Sequence, residues 1–360
     1  MTQRLQIGFV FIILHMGFGY FMYPRLTYSL TNTGHWGVVL SYGLLQLILI
    51  TIYKKGLNYF PKEDMIDIFL KMGRWVAFIF LFPYVINLTA LAAMDLRAHT
   101  ETITSIFLIR TPYLAVLILL FFISTYTAIK GLGTILRTSV IFFITINLLV
   151  IFVIASSTVN FDFHNALPAW PSSLDFLWNV KFFYLMGFSV ILFIGFIPSE
   201  KNLKLGQLFA AWAYVLLFFL TGVYFPLFIF GQETVATFLF PIKEAADSVD
   251  IGWFVFNRQT IFFGISIIGF NLILTAVQFW MVGKIMQKLV NWKRSKASYW
   301  IGAFSLLAFI FAACVPNRIW IEKFIYLIGC TNVYFIVILP LTILLYSVLV
   351  EKRTTGYEKK

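Results

Sequence analysis

Charge is what this chain has least of. Only 12% of its residues are Asp, Glu, Lys or Arg, about half the share usual in a soluble domain. Acids are the scarcer sign, 15 against 27 Lys and Arg. Cysteine is limited to Cys314 and Cys330, which excludes a disulfide-stapled scaffold. Both fall in or near the last apolar runs and read as core thiols rather than a bonded pair. There are four histidines and no close grouping of His, Cys, Asp and Glu, so no metal-ligand cluster can be written. No phosphate-binding glycine loop and no nucleophile–base pair is present. The chain reads as neither an enzyme nor the holder of a cofactor.

What the chain has instead is apolar length. Hydrophobic residues make up 61%, the mean hydropathy is +0.89, and there are 42 Phe, 17 Tyr and 10 Trp. This is the composition of an all-α polytopic membrane protein, with some Trp and Tyr expected in interfacial belts. A span needs about 20 apolar residues. Ten can be marked, near 6–29, 35–53, 75–96, 111–129, 136–157, 180–198, 207–230, 259–283, 298–315 and 324–350. The first run lacks a small-residue cleavage site and reads as a span, not a removable leader. Lys54–Arg74 is charged and amphipathic and reads as a surface segment. Gly231–Arg258 is the longest polar excursion, and its "PIKEAADSVDIGWF" reads as a short interfacial helix.

The net charge of +12 invites a nucleic-acid partner, but the distribution of the cations argues for a membrane topology. Ten spans put both termini on one side. That side collects 19 of the 27 Lys and Arg, including those of the 54–74 and 284–297 segments, and the other side 8. By the positive-inside rule the termini are cytoplasmic. The two basic segments are then expected at anionic lipid headgroups or a partner subunit.

The first span places helix breakers at mid-depth: "ILHMGFGYFMYPR", with Gly17, Gly19 and Pro24. The sixth repeats Met-Gly-Phe, at Met186–Phe188 against Met16–Phe18, and carries Pro198. Each opens a five-span half. Five is odd, so the halves are expected as inverted repeats, about 1–157 and 180–350, within a single transmembrane domain. Broken spans in matching positions point to a ligand site where unwound backbone lines a cavity. Close packing of helices through small residues is the plainer alternative.

The candidate ligand-binding residues are accordingly Gly17, Phe18 and Gly19 in the first break and Gly187, Phe188 and Ser189 in the sixth span. Tyr84 and Asn87, one turn apart after Pro83, are added from the third span, with Asn271 and Thr275 from the eighth. Asn271, Thr275 and Gln278 stand at i, i+4 and i+7, one polar face of an apolar helix. His15 is the histidine set well inside a span. No acid falls in the middle of a marked span; Asp95 and Arg97 are expected at the outer surface. Proton-coupled carriers use buried carboxylates as relays, so uphill proton-linked uptake is not expected. A sodium route through carbonyls and hydroxyls stays open.

Several stretches together resemble the B subunits of bacterial spore germinant receptors, the GerAB type, relatives of the amino acid–polyamine–organocation transporters. They are Gly17–Arg25, "HWGVVL" at His35–Leu40, "GRWVAFIF" at Gly73–Phe80, "RTPYLAVLIL" from Arg110, "YTAIKGLGTILR" ending at Arg137, "LFIGFIPSEKNLK" from Leu192 and "FPIKEAADSVDIGWFVFNR" from Phe240. Their order and spacing carry the likeness along nearly the whole chain. It departs at Ser189, where relatives often have an acid, and at Asn257-Arg258-Gln259, where they end Glu-Arg-x-Glu. Both departures point to a different nutrient or partner contact. The resemblance implies a multi-pass protein of the inner spore membrane that senses a small nutrient such as an amino acid. It would work with an A subunit bearing a soluble domain and a lipoprotein C subunit. A secondary amino-acid transporter, symporter or exchanger, is the alternative on the same fold.

Overall fold

A computed structural model describes residues 2–249, 260–290 and 296–357, apart from the side chains at 18–21, 260, 263 and 351–357. Among the described residues every regular element is helical. The long helices are α1 (Gln3–Tyr28), α2 (Trp36–Asn58), α4 (Arg74–Ile106), α5 (Tyr113–Lys130), α6 (Leu132–Ser157), α8 (Leu205–Val235), α10 (Thr260–Val290), α11 (Ala297–Cys314) and α12 (Arg318–Tyr357). Short helices α3 (Met65–Met72), α7 (Val180–Met186) and α9 (Pro241–Asp247) lie between them. Eight described helices are long and apolar enough to cross a membrane unaided. α1 is a ninth candidate only as a bent pair, Gln3–Gly17 and Met22–Tyr28, inclined by 53°. The remaining expected span, the sixth at 180–198, is α7 followed by a 3-10 turn at Ile191–Phe196, too short and too broken to cross as one helix.

α10 is the most enclosed span, packed among α1, α4, α5, α6 and α11. α12 covers the other flank against α2, α4 and α7, and α8 lies along α1 and α2. The core around α1 is aromatic. Phe11, Tyr23, Tyr42, Trp212 and Phe219 interleave with ring centroids 4.2–6.4 Å apart, each ring removing a large apolar area from lipid or water.

The third span runs ten residues beyond its expected end at 96. Thr102, Thr104 and Ser105 return their hydroxyls to carbonyls of the preceding turn, and Arg97 pairs with Glu101 one turn on, at 2.5 Å. Packed against α10 and α11, α4 continues through Ile106, and Asp95 (6% exposed) and Arg97 (4%) are buried inside the bundle rather than interfacial. His99, 6% exposed, joins His15 as a buried histidine. Cys314 is exposed rather than in the core, Cys330 is part-buried, and both are free thiols.

The basic end of α10 meets protein, not only lipid. α3 buries Met65, Ile66, Ile68 and Phe69 and is capped by Asp64, whose carboxylate accepts the Ile66 and Asp67 N–H groups at 3.0 and 3.1 Å. Lys284 reaches Asp64 at 2.8 Å, and Lys288 reaches Asp64 and Asp67 at 2.7 Å each. Burial pushes the Asp64 carboxyl up, but the Lys284 and Lys288 ammonium groups outweigh it and hold it below the ordinary carboxylate value. The Asn257–Gln259 departure and most of the 284–297 loop's tip lie outside the described residues.

Candidate functional site

The break in the sixth span follows α7, which ends at Met186 with Gly187 as its C-cap. Its backbone groups, freed from helix bonding, are met by side chains from four neighbouring parts of the chain. Gln46 Nε2 of α2 donates to the Met186 carbonyl at 3.2 Å, and Asn332 Nδ2 of α12 to the Gly187 carbonyl at 2.6 Å. Tyr53 Oη donates to the Leu192 carbonyl at 3.3 Å, Asn202 to those of Ile194 and Ile197, and Lys284 to Phe196 at 2.5 Å. This is how non-helical backbone is tolerated at membrane depth.

Asn87 belongs to this network. Its Nδ2 donates to Asn332 Oδ1 at 3.0 Å, and its Oδ1 accepts the Thr331 hydroxyl at 2.6 Å. It orients Asn332 beneath Gly187. Tyr84 is 2% exposed and packs on Phe335, 5.2 Å between centroids. Gln46, Tyr53, Asn202 and Asn332 are the members that sequence reasoning missed. Gln46 and Asn332 lie inside apolar runs, where a polar side chain was the available signal; Tyr53 and Asn202 stand beside charged stretches that gave none.

The two breaks are joined by His15. The Val190 N–H donates to His15 Nε2 at 3.2 Å, and His15 Nδ1 lies 2.8 Å from the Phe11 carbonyl. An accepting Nε2 and a carbonyl at Nδ1 require the neutral Nδ1–H tautomer. The Ser189 hydroxyl is 3.4 Å from the same Nε2.

The glycines face different partners. A Cβ on Gly17 would sit in ordinary contact with Phe270 and Leu274 of α10, at 3.5 and 3.6 Å. A Cβ on Gly187 would fall 2.1 Å from the Gly329 carbonyl of α12, so only glycine permits that approach. The structure therefore sets Gly17 against α10 and Gly187 against α12. The side chain of Phe18, and Gly19 beside it, lie outside the described residues.

Above the sixth-span break lies a cavity of about 270 Å³, lined by Met22, Arg25, Ser29, Lys181, Tyr184 and Glu322 among others. Arg25 and Glu322 pair across it at 3.2 Å, and Arg318 also holds Glu322 at 3.2 Å. Tyr184 forms the floor, 4.8 Å from the Phe188 ring and 4.9 Å from that of Tyr326, and it covers Gly329. The cavity thus presents two cations, one anion and aromatic walls, a set suited to a small zwitterion. Its size lies just under the roughly 300–1,000 Å³ of pockets that take drug-sized ligands.

The eighth-span stripe lies elsewhere, against α4. Asn271, Thr275 and Gln278 are at most 1% exposed. Asn271 Nδ2 donates to the Asp95 carbonyl at 3.3 Å, and Gln278 Nε2 to Asp95 Oδ2 at 2.7 Å.

Comparisons with known proteins agree with this geometry at the level of fold and family. Two structures of the Eremococcus coleocola manganese transporter superpose on the chain. The complex with an aromatic bis-isothiourea substituted compound gives a TM-score of 0.62 at 12% identity, and a mutant of the same transporter gives 0.59 at 14%. Each superposition covers 92% of this chain and 76% of the transporter; at such identities the likeness is one of fold. Spore germination protein KB of Bacillus subtilis (strain 168) is 26% identical over 211 residues, 55% of this chain and 54% of the relative. The match thus spans about half the relative's length. A spore permease family model described as "Spore germination protein" matches residues 3–319. This multi-pass membrane protein with a transporter fold belongs to the spore germination protein family.

Proposed function

We propose that this protein is the nutrient-sensing B subunit of a spore germinant receptor in the inner spore membrane. The nutrient is a small amino acid, bound in the cavity over the sixth-span break. The observation that carries this reading is the charge pattern of Arg25, Lys181 and Glu322 around Tyr184, whose ring packs on that of Phe188 in the break. A carboxylate would take the cations and an ammonium group Glu322. Ligand binding that parts Arg25 from Glu322 favours one conformation of the scaffold, and the A and C subunits read the change. A hundredfold preference for one state supplies about 2.7 kcal/mol. The relative named for spore germination supports the assignment to germination.

The test is a panel of amino acids applied to spores lacking the protein and to spores restored with Lys181→Ala. Loss of the response to one defined amino acid in the deletion, and a right-shifted dose curve in the variant, fit the proposal. An unchanged response in the deletion rejects it. The carrier alternative gains one argument from Asp95, a carboxylate enclosed by helices of the kind proton relays use. Accumulation of a labelled amino acid in liposomes under an imposed pH gradient would favour the carrier.

A further inference from the structure

We infer that α4 and α10 enclose a binding site for an alkali-metal cation, built from the Asp95 carboxylate and the side-chain oxygens of Asn271, Thr275 and Gln278. Nothing in the nutrient reading requires it, and it stands or falls separately.

Asp95 brings a carboxylate into the bundle with no Lys or Arg within ion-pair distance among the described residues. Arg97, two residues on, is engaged elsewhere: it pairs with Glu101 at 2.5 Å, donates to the Val315 carbonyl at 3.3 Å and stacks on Tyr113. His99 turns its Nδ1 to the Asp95 backbone carbonyl at 2.7 Å. A buried carboxylate is costly unless a countercharge accompanies it.

Around it stand oxygens with nothing to accept from. Asn271 and Gln278 each spend their amide N–H groups on Asp95, which fixes the amide orientation. That leaves Asn271 Oδ1 and Gln278 Oε1 buried and unpartnered, and Thr275 Oγ1, between them on the same face, is unpartnered too. An amide oxygen lies about 2.2 Å from its own nitrogen, by standard bond lengths. Gln278 Oε1 therefore stays close to the Asp95 carboxylate its nitrogen touches. Asn271 Oδ1, Gln278 Oε1 and the Asp95 carboxylate are acceptors, and the single Thr275 O–H can serve one of them at most, so the cluster cannot satisfy itself. A single cation serves them together.

The donor set selects the class of ion. Every ligand is oxygen, which disfavours soft or transition metals. One carboxylate balances one charge, and a divalent ion would leave an excess positive charge in a low-dielectric interior. Among the described residues no group of three or more His, Cys, Asp and Glu is present to hold such an ion. An alkali cation fits on both counts.

The experiment uses the purified full chain in nanodiscs, without nutrient, and follows thermal unfolding in NaCl, KCl or choline chloride at constant ionic strength. Saturable stabilisation by NaCl or KCl and none by choline is expected, the two arms identifying the ion. Thr275→Val removes one oxygen without breaking a hydrogen bond. It should need at least tenfold more salt for the same stabilisation, Thr275→Ser should restore the wild-type salt midpoint, and Asp95→Asn should abolish the response. Equal responses to all three salts would mean that water serves these oxygens and would overturn the site. So would a Thr275→Val protein with the wild-type salt midpoint, or stabilisation by CaCl2 at lower concentration than by either alkali salt.

Discussion

His15 of α1 accepts the backbone N–H of Val190 at 3.2 Å, so one broken helix holds the other at its break. A side chain from the first half of the chain satisfies an amide in the second half that has no helical partner. Replacing it by leucine keeps much of the volume and leaves that amide buried without an acceptor, at a cost of about 1–3 kcal/mol. Thermal unfolding of purified His15→Leu should show a clearly lowered midpoint. A midpoint equal to wild type would mean that the contact carries no stability.

The two glycines of the repeated tripeptide should respond differently to alanine. Gly187→Ala forces a methyl group into the Gly329 carbonyl, and overpacking of this kind costs about 1–3 kcal/mol or more. Gly17→Ala places its methyl in ordinary contact with Phe270 and Leu274 and should change stability by less than about 1 kcal/mol, within the range of tolerated core changes. Unfolding midpoints of the two proteins side by side make the comparison.

Asp64→Asn keeps an N-cap that α3 accepts, since asparagine caps as well as aspartate, and removes only the charge that Lys284 and Lys288 meet. The expected loss is about 2 kcal/mol, less than for a fully buried pair because both lysines keep some contact with water. The sign with pH follows from the lowered carboxyl of Asp64. Its contribution is complete above the unfolded value of about 4 and is lost as the pH falls through the lower folded value. Wild type and variant should therefore converge in stability on acidification below pH 4, and diverge at neutral pH.

The Arg25–Glu322 pair is well exposed, with side-chain accessibilities of 45% and 41%, so it adds little to stability. Glu322→Gln should leave the unfolding midpoint within a degree or two, yet raise the amino-acid concentration for half-maximal germination about tenfold, a loss of about 1.4 kcal/mol. A stability loss with unchanged nutrient sensitivity would assign the pair to the fold.

Topology can be read with single cysteines in a background lacking Cys314 and Cys330. Arg318→Cys should react with an impermeant reagent applied from outside, and Lys201→Cys only after permeabilisation, following the bias of Lys and Arg. The reverse pattern would invert the protein.

Spans and breaks were legible in the sequence because both are local properties. Apolar length marks a helix, and Gly17 or the Met186–Phe188 repeat marks a place where a helix is weak. The extent of α4 was not legible: the charged residues at 95 and 97 read as the end of a span, and only packing against α10 and α11 carries the helix past them. The partners of the sixth-span break were hidden for a related reason. Gln46 and Asn332 are polar letters in apolar text, far apart in sequence, and only the fold brings them to neighbouring carbonyls. The stripe Asn271, Thr275 and Gln278 was visible as a shared face, but what it faces, Asp95, was not.

α12 sets Glu322, Tyr326 and Gly329 at i, i+4 and i+7, so two residues of the cavity lining and the seat of Gly187 lie along one line of a single helix. Such a helix is a ruler as much as a wall. One residue inserted between Tyr326 and Gly329 would turn everything beyond it by about 100°, carrying Gly329 and Asn332 away from the break while the mouth stayed intact. The number of residues between these positions is therefore as much a part of the site as the residues themselves.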